Sequence, residues 1–227
     1  MSEVKSAWID LRAADGAELS AYHVRPSGAR RAGLVLVQEI FGVNAHIRSV
    51  AERFAEHGYE VIAPALFDRV ERGVELGYDE AGLAKGRTFP PQLGFDRPLL
   101  DVAAATRQLA SENSKVGIVG YCWGGSVAYL AAARSSGLSA AVGYYGGAIA
   151  KHASEPPRVP VLLHFGKLDK GIPLGDVAEL AQQRPELAIE LYDAGHGFNC
   201  EKRASYDHAS AELALARTLR FFEQHLS

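Results

Sequence analysis

Gly120-Tyr121-Cys122-Trp123-Gly124 sets a cysteine among glycines, directly after a strand-like run at 115–120 and directly before a helix-like run at 124–134. A strand that turns sharply into a helix holds the residue at the corner clear of the backbone, the arrangement known as a nucleophile elbow. Such a corner is strained, and glycines let the strand and helix approach closely around it. A Cys122 thiolate would stand at the helix N-terminus, where backbone N–H groups and the helix dipole favour negative charge over a free thiol's pKa of roughly 8.5. The chemistry on offer is nucleophilic attack. A lone cysteine is more often an inert buried thiol, and the glycine frame between strand and helix is what argues otherwise here.

A nucleophile at an elbow needs an acid after a later strand and a histidine after the last one, in that chain order. Asp169 follows the apolar run 161–166 in the turn Gly166-Lys167-Leu168-Asp169, and His196 stands between glycines in Ala194-Gly195-His196-Gly197-Phe198. A carboxylate so placed fixes the imidazole tautomer and stabilises its charged form. Taken singly, each is an ordinary turn residue; in correct order behind the elbow, they form a candidate triad. Asp193 is the weaker acid candidate, being local to His196. For a developing oxyanion, the backbone N–H groups of Trp123 and Ile40 are the expected donors. Glu39 ends the run 33–39, at the edge where doubly wound sheets bind ligands, and a carboxylate there could hold the Cys122 proton until substrate arrives. Substrate is expected over Glu39 and Tyr145, with Phe41 and Phe198 beside it. No histidine has a metal-ligand spacing such as HExxH, so no metal is expected.

The elements that must position these residues alternate along the chain. Runs at 8–12 and 19–24, joined at Asp15-Gly16, read as an antiparallel opening hairpin. The consecutive apolar residues Leu34, Val35, Leu36 and Val37 read as a strand covered on both faces. Asn44 caps a helix with Ile47, Val50, Ala51, Phe54 and Ala55 at helical spacing, and Gly58 is placed to end it. A strand at 60–63 follows, then helix near 98–111, strand 115–120, helix 124–134, strand 140–145, strand 161–166, helix near 176–183, strand 189–192 and a last helix at about 206–225. The pattern predicts a single domain over residues 1–227, α/β in class, doubly wound and mostly parallel with an antiparallel N-terminal edge and helices on both faces. Residues 66–95, rich in Gly and charge with weak periodicity, read as a partly helical excursion over the sheet edge.

Composition excludes several functions. With 24 Lys plus Arg against 27 Asp plus Glu, the net charge is −3, so no global field draws the molecule to nucleic acid. Residues 1–10 lack the apolar stretch of a secretory signal, and two cysteines without a CxxC pair give no disulfide framework; reduced thiols in a cytoplasm are expected. The charge-free run 116–133 is broken by Gly117, Gly120, Gly124 and Gly125, which argues against a membrane span. Cys200 follows His196 closely enough to raise a redox pair with Cys122 as one alternative. A ligand-binding protein that kept the architecture without turnover is another.

The segments Gln38-Glu39-Ile40-Phe41-Gly42-Val43-Asn44, Gly120-Tyr121-Cys122-Trp123-Gly124-Gly125, Gly143-Tyr144-Tyr145-Gly146 and Ala194-Gly195-His196 together resemble the dienelactone hydrolase family. The resemblance spans nearly the whole chain and implies the α/β-hydrolase fold, hydrolysis of enol-lactones from the breakdown of aromatic compounds, and no cofactor. It implies Cys122, His196 and Asp169 as the triad, and Glu39 as a participant in substrate-dependent activation of Cys122. It also implies two arginines that anchor a substrate carboxylate. Where one is expected, four residues after the histidine, this chain has Cys200, with Lys202 and Arg203 beyond. The other falls among Arg69, Arg72, Lys85 and Arg87, of which Arg69 is the first choice and Arg87 the second. A small-molecule lactone or ester is the expected partner, with the protein a monomer or small homo-oligomer.

Overall fold

Apolar residues on consecutive positions, bounded by turn residues, produce strands buried on both faces, and five of the eight strands here are of that kind. The computed structural model describes residues 4–227, so the reading of residues 1–10 for a signal lies partly outside the described residues. The strands are β1 (Lys5–Arg12), β2 (Glu18–Arg25), β3 (Ala32–Val37), β4 (Tyr59–Pro64), β5 (Val116–Tyr121), β6 (Ala140–Tyr144), β7 (Val161–Gly166) and β8 (Ala188–Tyr192). They form one sheet in the order β1-β2-β4-β3-β5-β6-β7-β8. β1 pairs antiparallel with β2 and β2 with β4; the remaining pairings are parallel. This is the expected α/β-hydrolase arrangement with its antiparallel N-terminal edge. The outer strands β1 and β8 are largely exposed, and charges such as Asp10 and Glu190 keep those edges from pairing further.

Helices cover both faces. α1 (Ala45–Glu56) and α7 (His208–Leu226) share one face, where Phe54 and Tyr59 meet Phe222. α4 (Asp96–Ala110) and α5 (Trp123–Arg134) pack together on the other. The Cα of Gly117 faces Phe222 and Leu226 of α7, while that of Gly33 faces Leu109 of α4, so neighbouring strands present alternate residues to opposite layers. Asn44 caps α1 by accepting from Ile47 N–H, and Asp207 caps α7 in the same way from Ser210 N–H. α6 (Leu174–Gln183) follows β7. The charge-free run 116–133 resolves into β5, a one-residue corner and α5, and no helix of the described residues is long and apolar enough to cross a membrane.

The excursion at 66–95 is helical in three short pieces: a 3-10 turn at Leu66–Arg69, α2 (Glu80–Gly86) and α3 (Phe89–Leu93). Pieces this short cannot show a full amphipathic stripe, which is why their periodicity is weak. The excursion lies over the loop that follows β3, with Gly86 against the Ile40 carbonyl and Gly42 bridged to Glu75. Phe67 stacks on Phe89 and touches Trp123, tying the excursion to the start of α5.

Candidate active site

β3 and β5 are parallel neighbours with Val37 opposite Gly120, so the residues just past their ends meet at the C-terminal edge of the sheet. The Cα of Gly124 faces the carbonyl oxygens of Val37 and Gln38 so closely that a Cβ would stand 2.3 Å from Gln38 O. Likewise a Cβ on Gly120 would lie 1.9 Å from Gly124 O. The corner between them is Cys122, at φ 55° and ψ −119°, in a region that non-glycine residues rarely occupy. Among the described residues the only other non-glycine with positive φ is Tyr145, just past β6, and both lie at this one edge. The Cys122 N–H donates to the Tyr144 carbonyl at 3.0 Å, which fixes the strained corner to the next strand.

Asp169 and His196 arrive from the ends of β7 and β8. Asp169 Oδ1 accepts from Gly171 N–H at 2.8 Å, leaving Oδ2 to the His196 Nδ1 at 2.7 Å. His196 Nε2 then lies 3.1 Å from Cys122 Sγ. The loop bearing His196 is fixed by Ser205, whose hydroxyl donates to the His196 carbonyl at 2.6 Å, and by the Tyr145 ring, 5.1 Å from the imidazole. Burial opposes the imidazolium, but the hydrogen bonds to Asp169 and Cys122 outweigh it and raise the His196 pKa to about 10. A group whose pKa rises on folding stabilises the fold fully below its unfolded value, and that contribution is lost as pH climbs through the folded one. The stability advantage of the wild type over His196→Gln, read from urea midpoints, is therefore expected to shrink between about pH 6.5 and pH 10. An advantage that grows over that interval would contradict the assignment.

Cys122 is partly exposed in a cleft of about 240 Å³ whose other walls include Trp123, Ser126, Gly147, Ala148, Ile172 and His196. This lining carries no lysine or arginine. The Trp123 N–H belongs to the first turn of α5, where helical amides have no intrahelical acceptor, and Ile40 follows Glu39 across the same edge. Asp193 is paired instead with Lys167 at 2.9 Å.

Several expected residues are placed differently. Glu39 does not hold the Cys122 thiol: it is fully buried, and its two oxygens accept from Tyr78 Oη at 3.0 Å and Arg203 Nη1 at 3.1 Å. Neither partner was chosen from the sequence, although Arg203 was in view; its place beside Glu39 depends on a loop 164 residues away folding back across Gly197. Arg69 is not available as an anion anchor, because its guanidinium is divided between Asp101 and Asp15 at 2.7–3.1 Å and its side chain is 6% exposed. Arg87 is exposed at the end of α2, beside the Gly86 that touches Ile40. Tyr145, Phe41 and Phe198 are buried, so their rings back the site rather than face its opening. Cys200 is also buried; burial and the Glu39 charge push its thiol up to about 11, a poor nucleophile at neutral pH. Both cysteines are free thiols.

Comparison with known proteins agrees with this architecture. The model of the "Dienelactone hydrolase family" matches residues 19–226. The carboxymethylenebutenolidase of Pseudomonas putida is 33% identical over 223 residues, covering 94% of each chain. A solved structure from Klebsiella pneumoniae, described as "Putative Dienelactone Hydrolase", superposes with a TM-score of 0.88 at 28% identity over 99% of this chain and all of that one. The dienelactone hydrolase of Anabaena variabilis shares the fold, with a TM-score of 0.71 at 20% identity and full coverage of both chains. The chain thus belongs to the dienelactone hydrolase family and is a hydrolase of esters or lactones.

Proposed function

We propose that this protein cleaves a lactone or activated carboxylic ester through a covalent acyl-cysteine, with Cys122 as nucleophile, His196 as acid and base, and Asp169 holding the imidazole. The observation that carries the reading is the unbroken line from Asp169 Oδ2 through His196 to Cys122 Sγ, with steps of 2.7 and 3.1 Å. The Cys122 S–H proton passes to His196 Nε2, and the sulfur adds to the carbonyl carbon while the oxyanion is held by the N–H groups of Trp123 and Ile40. Collapse breaks the C–O bond, and His196 gives its proton to the departing alkoxide. His196 then takes a proton from water, hydroxide adds to the thioester, and the Cys122 thiolate leaves with the free acid as product. No step calls for a cofactor, and one sheet carrying every group supports the chain acting as a single domain.

The small apolar cleft beside Cys122 suits an uncharged acyl group of modest size. If the substrate carries a carboxylate, Arg87 is the better anchor of the two arginines expected, since Arg69 is neutralised by two aspartates. For Glu39 to act on Cys122 when substrate binds, it would have to leave Tyr78 and Arg203, which makes any such role conditional on rearrangement of that cluster.

The test is the mass of the trapped enzyme. A slowly deacylating aryl ester should add its acyl group to Cys122 with loss of the phenol, whereas a lactone should add its whole mass, because its alkoxide stays tethered. Peptide mapping should find the adduct on Cys122 and leave Cys200 unmodified. A burst of released phenol with no mass gain on Cys122 would overturn the proposal.

A further inference from the structure

Glu39 belongs to a second cluster of metal-ligating side chains. One ring nitrogen of His46, the sulfur of Cys200 and a carboxylate oxygen of Glu39 lie within 4.8 Å of one another. All three residues are buried, at 2%, 0% and 0% exposure. We propose that Glu39, His46 and Cys200 form a binding site for a zinc-type divalent transition metal, distinct from the triad and linked to it through Glu39.

The orientation of His46 carries the argument furthest. Its Nδ1 bonds the Glu201 carboxylate at 2.9 Å, while its Nε2 is buried and has no hydrogen-bond partner. Buried polar atoms are nearly always paired, so an orphaned imidazole nitrogen in a core needs an explanation. A carboxylate on one ring nitrogen fixes the tautomer that leaves a lone pair on the other, which is how metal-binding histidines are oriented. Glu201 thus prepares Nε2 as an acceptor, and what it lacks is an electrophile.

The donor set selects the class of metal. Thiolate, imidazole and carboxylate together match zinc and its analogues cobalt and cadmium; magnesium and calcium require oxygen ligands. In a tetrahedral site with bonds of about 2.0–2.3 Å the donors stand roughly 3.3–3.7 Å apart, so the three side chains would draw in by about an ångström. Glu201 is 38% exposed and marks the route from solvent. The ligands come from the loop after β3, from α1 and from the loop after β8, so no local spacing announces them. Since both Glu39 oxygens already accept hydrogen bonds, from Tyr78 and Arg203, a bound metal would compete with one of those partners.

The experiment uses the full chain with Cys122→Ala, freed of metal by a chelator and titrated with Co²⁺ alone, so that the triad thiol cannot serve as ligand. One equivalent of cobalt should bind with a thiolate-to-metal charge-transfer band. Adding Cys200→Ser should abolish the band, and Glu201→Gln, a change at a partly exposed position that leaves all three ligands in place, should weaken affinity by about 10–100-fold. If Cys200→Ser does not fold, the Glu201→Gln affinity decides. No uptake by the Cys122→Ala protein, or a band that survives Cys200→Ser, would each overturn the site.

Discussion

Cys122→Ala is expected to lower kcat/KM on an activated aryl ester by about 10^4-fold or more, with the loss almost wholly in kcat. Removing the sulfur leaves the cleft walls, the Trp123 and Ile40 amides and the His196–Asp169 pair in place, so substrate should still bind and an oxyanion would still find donors. What disappears is the covalent route, and water activated by His196 alone is the remaining path. Asp169→Asn tests the other end of the same line. An asparagine can donate to Nδ1 and so favours the tautomer that points a proton at the sulfur, a change that costs on the order of 10^4 in triads of this design. Initial rates under saturating and limiting substrate separate kcat from KM. A Cys122→Ala enzyme within a few-fold of wild type would remove Cys122 from the mechanism, whatever its geometry.

The parts of the site legible in the sequence are those fixed by the order of strands. Cys122, Asp169 and His196 each follow a strand, and parallel pairing brings strand ends to one edge, so their meeting followed from topology once the strands were read. Glu39 was legible for the same reason. What it bonds was not: Tyr78 sits in the excursion and Arg203 in the loop beyond β8, and only the folded loops bring both to one carboxylate. Arg69 misled because a basic residue in a pocket-forming segment looks free until its neighbours are known. Asp101 lies on α4, and its fully buried carboxylate would be uncompensated without that guanidinium. Element ends shifted by one or two residues at most positions, as at β5, which runs to Tyr121, and at α7, which begins at His208. The hidden cluster of Glu39, His46 and Cys200 had no signature at all, because histidine and cysteine 154 positions apart form no motif.

Gly120→Ala is expected to cost roughly 3–5 kcal/mol of stability, enough to leave little folded protein from a margin that is typically about 5–15 kcal/mol. The new methyl would lie 1.9 Å from Gly124 O and 2.4 Å from Gly124 C, and these are backbone atoms of the first turn of α5, not the end of a flexible side chain. That turn cannot retreat freely, because Gly124 is itself against the carbonyls of Val37 and Gln38, and Gly125 against that of Tyr144. Relief must come from opening the Cys122 corner, where φ is already 55°, so strain would pass directly into the residue that faces His196. Gly175→Ala provides the contrast: it lies in α6 with nothing within 4 Å of the added Cβ, and should be neutral or stabilising by up to about 1 kcal/mol. Urea midpoints of the two variants against wild type measure the difference. If Gly120→Ala unfolds at the wild-type midpoint, the close approach of β5 and α5 is not what holds the elbow, since the lower unfolded-state entropy of alanine offsets only about 0.4–1 kcal/mol.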